Sequence, residues 1–243
     1  MSNASPHILI IGAQRSGSTW LYELIKSCES VRGINLGNAE PRLLLKVTNH
    51  HEYHETSGVL NSEKKFVLEK SVAYLELPNI AKRAKQVLPD ANIVAILRNP
   101  VDRAFSNWKF STLNGFETRG FSECLSEEAE LREYHGSATS PYKYVSRGLY
   151  WRQLAPWIEC FPKLHIVQFE KIMATRTRES VISELEERLR IRKIGQSETL
   201  AKQLNRSIDR SRIENKVRKK LSDFYLVENQ KLADLGVDLR LWS

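Results

Sequence analysis

Gly12-Ala13-Gln14-Arg15-Ser16-Gly17-Ser18-Thr19 sets two glycines five positions apart and follows them with two hydroxyl residues. A loop of this kind turns its backbone N–H groups inward, and a helix opening at Ser18 adds positive potential where an anion would sit. A nucleotide triphosphatase loop needs Gly, four residues, then Gly-Lys-Ser/Thr. Ser18 stands where that lysine belongs, so nothing in the motif reaches a β/γ-phosphate and triphosphate hydrolysis is disfavoured. Arg15 supplies a cation from inside the loop instead. The pattern suits one phosphate beside a transferable group.

Three further positions have the chemistry to serve such a site. Arg98 ends an apolar run, and Ser106 follows in the helix that Asn99 and Pro100 start. An arginine with a nearby hydroxyl makes a second phosphate site of charge-assisted and neutral hydrogen bonds. Lys70 closes another short apolar run, where ligands gather in open α/β sheets; its structural alternative is an ion pair with Glu69 or another carboxylate. Glu40, before Pro41, reads either as a carboxylate favouring a helix start or as a general base at the mouth of the sheet. His50-His51-Glu52-Tyr53-His54-Glu55 departs from the zinc-protease pattern. His50 and His54 share a face if helical, but two histidines are a weak ligand set. The expectation there is a polar surface loop holding no metal, with His51 and His54 as substrate-lining positions.

The elements that must position these residues are legible as short periodic segments. Ile8–Ile11, Val31–Leu36, Lys65–Glu69, Ile93–Leu97 and Leu164–Phe169 read as strands, the last ended by Glu170. Helices are predicted from Ser18, with Trp20, Leu21, Leu24, Ile25 and Cys28 inward, over Pro78–Leu88, and from Pro100, with Val101, Ala104, Phe105 and Trp108 inward. A surface helix is predicted over Phe121–Tyr134. Tyr150, Leu154, Trp157, Ile158 and Phe161 keep helical spacing, and Pro156 is expected to kink or restart that helix. An amphipathic helix spans Arg176–Lys193, and the last helix turns Val217, Leu221, Phe224 and Tyr225 inward behind the basic loop Ser207–Arg212. Strands alternating with helices give an α/β fold, a single domain over 1–243 with a central parallel sheet flanked by helices. Residues 1–5 are set aside as lying outside that fold.

Composition bounds the function. The 243 residues suffice for one core without staples. The formal net charge of +8 points to anionic ligands without choosing among nucleotide, polysaccharide, nucleic acid and membrane surface. Cys28, Cys124 and Cys160 form no metal or disulfide pattern, which favours a reducing compartment. No signal peptide or membrane-length apolar run is read, so a cytoplasmic location is expected.

Three patterns together resemble the sulfotransferases that use 3′-phosphoadenosine 5′-phosphosulfate (PAPS), most of all the heparan-sulfate and bacterial carbohydrate-type branch. They are Ile11–Thr19, Leu68-Glu69-Lys70-Ser71-Val72-Ala73-Tyr74-Leu75, and Leu97-Arg98-Asn99-Pro100-Val101-Asp102-Arg103-Ala104-Phe105-Ser106. A fourth, weaker one runs from Tyr150 through Trp157 to Phe161-Pro162 and the strand ending in Glu170. The resemblance implies a P-loop-kinase-like sulfotransferase fold, PAPS as cosubstrate, PAP as product and no metal. It implies that Gln14, Arg15, Ser16, Gly17, Ser18 and Thr19 hold the phosphosulfate, and that Arg98 and Ser106 hold the 3′-phosphate. Glu40 would act as base, and Lys70 would stand near the acceptor and the sulfuryl group beside Arg15. Arg210 and Arg212 would lie in a loop closing over the nucleotide. Arg15 replaces the family's loop lysine, Leu43-Leu44 replace an aromatic pair, and the closing loop lacks the family's glycine. The implied partner is a small-molecule or glycan hydroxyl acceptor, anionic if the net charge is a guide, with no nucleic acid and no membrane span. The competing readings are a P-loop nucleotide kinase, a basic nucleic-acid-binding module, and a catalytically dead PAPS-binding fold.

Overall fold

Short apolar runs, each followed by an amphipathic helix able to cover it, assemble into one parallel sheet. The computed structural model describes residues 6–34, 40–58, 64–126, 140–194 and 213–242. The strands are β1 (His7–Gly12), β2 (Val31–Gly33), β3 (Phe66–Lys70), β4 (Asn92–Leu97) and β5 (His165–Gln168). They lie in the order β2-β3-β1-β4-β5, every pairing parallel. From β1 the chain runs to the edge strand β2, returns through β3 beside β1, then crosses to β4 and β5 on the other side. In open α/β sheets ligands bind beyond the carboxyl ends of the strands at such a reversal. The strand expectations hold to within a residue or two, except that β2 ends at Gly33, Ile34 lies beyond it, and positions 35 and 36 of the expected strand lie outside the described residues.

Among the described residues the α-helices are α1 (Ser18–Lys26), α2 (His50–Ser57), α3 (Ile80–Val87), α4 (Pro100–Leu113), α5 (Tyr150–Cys160), α6 (Phe169–Met173), α7 (Thr175–Leu189) and α8 (Asn215–Ala233). One sheet face, with Ile8, Ile10, Val94 and Ile96, packs against Leu21, Leu24 and Ile25 of α1 and Val181, Leu185 and Leu189 of α7. The other, with Leu9, Ile11, Ala95 and Leu97, packs against Tyr53 of α2, Ala84 and Val87 of α3, and Tyr150, Leu154 and Trp157 of α5. This alternation along β1 is the period of two that places successive side chains on opposite faces. No described helix is long and apolar enough to cross a membrane.

Several local expectations are corrected. Residues 50–57 form a helix, because Asn49 caps it by accepting from the Glu52 N–H at 3.0 Å. The helix α5 runs unbroken through Pro156; Pro156 and Arg152 lie on its exposed side, so the carbonyl that loses its donor meets water. Phe169, expected to close the strand, opens α6, and Glu170 lies in the first turn of that helix. Leu221 and Tyr225 face inward as expected, but Phe224 is 53% exposed, and Glu228 and Leu232 complete the inner face of α8. In the stretch 121–134 only the turn Ser122–Leu125 is helical among the described residues, and 127–139 lie outside them.

One buried carboxylate ties three of these elements together. Glu69, on β3 and 1% exposed, accepts hydrogen bonds from Tyr53 OH on α2 at 2.6 Å, Tyr74 OH at 2.6 Å, Ser71 Oγ at 2.7 Å and the Leu43 N–H at 3.3 Å. Burial holds its carboxyl above the ordinary carboxylate range although the four donors pull the other way. The network fixes where the chain enters the 43–45 turn, three residues after Glu40.

Glu69→Ala strands four buried donors, each costing about 1–3 kcal/mol when unmet. Urea unfolding is therefore expected to show a loss of about 3 kcal/mol or more; a loss under about 1 kcal/mol would deny the carboxylate this organising role.

Candidate active site

The loop between β1 and α1 is held open by backbone conformations that expose its N–H groups. The Ala13 N–H donates to the Ile96 carbonyl at 2.7 Å, tying the loop root to β4. Arg15 and Gly17 take positive φ values of 65° and 89°. Gly17 stands at the N-cap of α1 with no side chain to cap it, and the first turn carries no acidic residue. The first intrahelical bond runs from the Leu21 N–H to the Gly17 carbonyl, so the N–H groups of Ser18, Thr19 and Trp20 precede it. A Cβ on Gly17 would lie 2.9 Å from the Phe169 ring, which explains the glycine twice over, by conformation and by space.

Positive charge converges on this loop. The Arg98 Nη1 lies 3.4 Å from the Arg15 carbonyl, and its guanidinium sits 4.8 Å over the Phe169 ring. The Arg15 guanidinium sits 4.6 Å over the ring of Phe110 on α4. Arg103, Ser106 and Phe110 recur at helical spacing, so they share the side of α4 that meets the loop. Arg103 is fully buried; it donates through Nη2 to the Tyr144 carbonyl, while its Nε and Nη1 find no partner among the described residues. Burial first, then Arg98 and Arg103, lower the Arg15 pKa. Arg15 Nε is likewise buried without a hydrogen-bond partner among the described residues, as is the acceptor Gln14 Oε1. Buried polar groups ordinarily find partners, so the unmet donors of Arg15 and Arg103 beside a helix N-terminus fit a polyanion such as a phosphosulfate.

The β4–α4 corner that aims Arg98 is locked from distant parts of the chain. Glu170 accepts the Asn99 N–H at 2.7 Å and Trp242 Nε1 at 2.9 Å. Asn99 caps α4 by accepting the Val101 N–H at 2.9 Å and gives its amide to the Trp242 carbonyl at 2.8 Å. Tyr150 OH donates to the Arg98 carbonyl at 2.8 Å. Burial raises the Glu170 carboxyl above its usual range, against the pull of the Asn99 and Trp242 bonds.

On the other side of β1, Lys70 ends β3 and bridges two groups. Its Nζ is 3.4 Å from Glu40 Oε1 and 3.3 Å from Thr19 Oγ1. Glu40 Oε2 lies 3.9 Å from Arg42 Nε. Lys70 thus pairs with Glu40 and not with Glu69, whose oxygens are taken by hydroxyls. A carboxylate, an ammonium and the anion loop form one continuous line across the carboxyl ends of β3 and β1.

Of the positions singled out from sequence, Gln14–Thr19, Glu40, Lys70 and Arg98 come together here, and half-buried Ser106 faces them from α4. His51 is exposed and pairs with Glu55 at 3.3 Å. His54 is buried beside His7, at the start of β1. Arg210 and Arg212 lie outside the described residues. The basic start of α8 has carboxylate partners of its own: Arg218 pairs with Asp102 at 2.7 Å and Lys219 with Asp223 at 3.1 Å. Arg103, Glu170 as a corner lock, and Trp242 were missed. For Arg103 the signal was present, since a charged residue stood one position from the apolar stripe of α4.

The model of the sulfotransferase domain family matches residues 5–225. The bifunctional heparan sulfate N-deacetylase/N-sulfotransferase 1 of Mus musculus is 34% identical over 111 residues, covering 42% of this chain and 12% of that protein. The Drosophila melanogaster bifunctional heparan sulfate N-deacetylase/N-sulfotransferase is 25% identical over 214 residues, covering 76% of this chain and 20% of the relative. The chain therefore spans a fifth or less of the length of these two relatives. A solved sulfotransferase from Alicyclobacillus acidocaldarius shares the fold, with a TM-score of 0.74 and 24% identity over 98% of this chain and 99% of that one.

Gly17→Ala forces a Cβ against Phe169 at a positive φ, a strain of about 1–3 kcal/mol. It is expected to lower Tm and to reduce the rise in Tm that sulfate gives the wild type. A sulfate response unchanged in the variant would remove this loop from the anion site.

Proposed function

We propose that this chain, which belongs to the sulfotransferase domain family, transfers a sulfuryl group from PAPS to an acceptor hydroxyl. The observation that carries the reading is the bridge made by Lys70, 3.3 Å from the anion loop at Thr19 and 3.4 Å from the Glu40 carboxylate. It supports the reading because a carboxylate suited to act as base then stands beside a loop suited to hold an anion, as group transfer to a hydroxyl requires.

PAPS, when bound, supplies the sulfuryl group, whose bond to the phosphate oxygen breaks as the bond to the acceptor oxygen forms. Gln14 to Thr19 hold the phosphosulfate through loop and helix N–H groups and the Ser16, Ser18 and Thr19 hydroxyls. Arg98 and Ser106 hold the 3′-phosphate, with Arg103 adding charge from below. Glu40 takes the hydroxyl proton at a carboxylate oxygen. Lys70 and Arg15 offset the charge that develops on the departing phosphate oxygen, which is where fixed cations contribute most. Fixed donors and cations carry the whole load, so the reading includes no metal at the transfer site.

The acceptor class we favour is an anionic glycan. The curated relatives bear heparan sulfate in their names, and the formal net charge of +8 suits a polyanion. Arg210 and Arg212 belong to this proposal as residues closing over the nucleotide. A cytoplasmic location and a single domain over the whole chain are likewise proposals.

Calorimetry with 3′,5′-ADP, run beside ATP and 5′-ADP, tests the nucleotide part. Micromolar binding of 3′,5′-ADP with much weaker binding of the other two is expected, and preference for ATP overturns it. Arg98→Ala removes charged hydrogen bonds worth about 1.5–3 kcal/mol, so 3′,5′-ADP should bind roughly 10- to 100-fold more weakly while 5′-ADP is unaffected. Equal affinity for 3′,5′-ADP in both proteins would sink the 3′-phosphate assignment. Glu40→Gln is expected to lower kcat by about 10²–10⁴-fold with 3′,5′-ADP affinity intact; an unchanged kcat would take the base role from Glu40.

A further inference from the structure

At the amino end of β1, away from the transfer site, three histidines from two elements face one another. The Asn49 cap starts α2 so that His50 and His54, four residues apart, project from one side of the helix. Their Nε2 atoms are 3.1 Å apart. His7, the first residue of β1, projects from the same sheet face as Leu9 and meets both rings edge-on, at centroid distances of 4.8 Å to His54 and 5.9 Å to His50. One ligand nitrogen from each of the three lies within 4.8 Å of the other two. His7 is 5% exposed and His54 8%, and His7 Nε2 is buried with no hydrogen-bond partner among the described residues.

We propose that His7, His50 and His54 bind one divalent transition-metal ion of the zinc type. Zn–N bonds of about 2.0–2.1 Å in a tetrahedron set ligand nitrogens about 3.3 Å apart. The His50–His54 pair already stands near that spacing, and His7 needs a rotation of its ring to close the third corner. A ligand set of three imidazoles selects zinc, copper, nickel or cobalt over magnesium and calcium, which require oxygen ligands. Half-buried His50 gives an ion its way in, and a water can complete the fourth position.

The site is distinct from the sulfuryl-transfer machinery. From His7 to Gly12 the strand rises about 16 Å, so the ion lies at the opposite end of β1 from the anion loop. It would fasten α2 to the central strand. Because α2 carries Tyr53 onto Glu69, the ion would stiffen the support of the Glu40 segment without touching substrate. The inference is independent of the reaction proposed above.

Titration of the untagged, chelator-treated chain tests the site, with Zn²⁺ followed by calorimetry and Co²⁺ by visible absorption, beside a Mg²⁺ control. One ion per chain with micromolar or tighter affinity is expected, together with the d–d bands of four-coordinate cobalt and a Tm raised by Zn²⁺ but not by Mg²⁺. His50→Ala should weaken Zn²⁺ at least tenfold, while His51→Ala, four positions from Glu55 and outside the cluster, should leave it unchanged. No saturable binding at one equivalent, a six-coordinate cobalt spectrum, or equal affinity in His50→Ala would each overturn the proposal. If His50→Ala fails to fold, the wild-type cobalt spectrum decides the case.

Discussion

The Glu69 carboxylate is the constraint from which the acceptor side of the site follows. A charge-bearing group at 1% exposure is tolerated only if donors surround it. Those donors come from α2, from the turn after β3, and from the backbone of the 43–45 turn. Satisfying it forces three segments into one arrangement. Tyr74 extends the network by accepting the Leu44 N–H at 2.8 Å while donating to Glu69. Ser71 does the same for the Arg42 N–H at 2.9 Å. The chain carrying Glu40 is thereby pinned at three successive positions, 42, 43 and 44, and Glu40 is delivered next to Lys70. Lys70 itself is the neighbour of Glu69 on β3, and alternation along the strand sends the two side chains to different partners.

The donor side obeys the opposite logic. There the fold gathers like charges, Arg15, Arg98 and Arg103, at a helix N-terminus with no acidic residue in its first turn. Such a cluster opposes folding, and the surrounding structure must hold it by other means. Aromatic faces do part of this, since Phe110 lies beneath Arg15 and Phe169 beneath Arg98. The rest is done by the Glu170–Asn99–Trp242 lock, which fixes the backbone on either side of the corner. A cluster that is electrostatically unfavourable by itself is thereby held in place, as the anion receptor proposed above requires.

The two sides meet at β1 because the strand order reverses there. β3 brings Lys70 and β4 brings Arg98 to the same carboxyl edge, one on each flank of the Gly12–Thr19 loop. At the amino edge of the same strand, α2 lies over His7. A single helix therefore joins the buried carboxylate to the histidine cluster, through Tyr53 to Glu69 and through His50 and His54 to His7. The stability of α2 and the placement of the acceptor segment are linked by this shared element.

The sequence by itself determined what is local. The glycine spacing of the loop, the Asn99-Pro100 helix start, the β-branched strands and the amphipathic stripe of α7 are set by neighbours within a turn or a strand. It also identified Arg15, Lys70, Glu40 and Arg98 as chemistry-bearing groups at element ends. Tertiary structure alone decided who partners whom. Whether Lys70 meets Glu69 or Glu40, whether Arg103 joins Arg98, and whether Trp242 reaches Asn99 across 143 positions depend on how faces pack, and no local period encodes that. Pro156 stays within a helix because its side of α5 faces water, a fact about burial and not about proline. The histidines show the division most sharply. Spacing put His50 and His54 on one helical face, but only the packing of α2 on the sheet brought His7 to them, because a strand and a helix far apart in the chain meet through their buried surfaces.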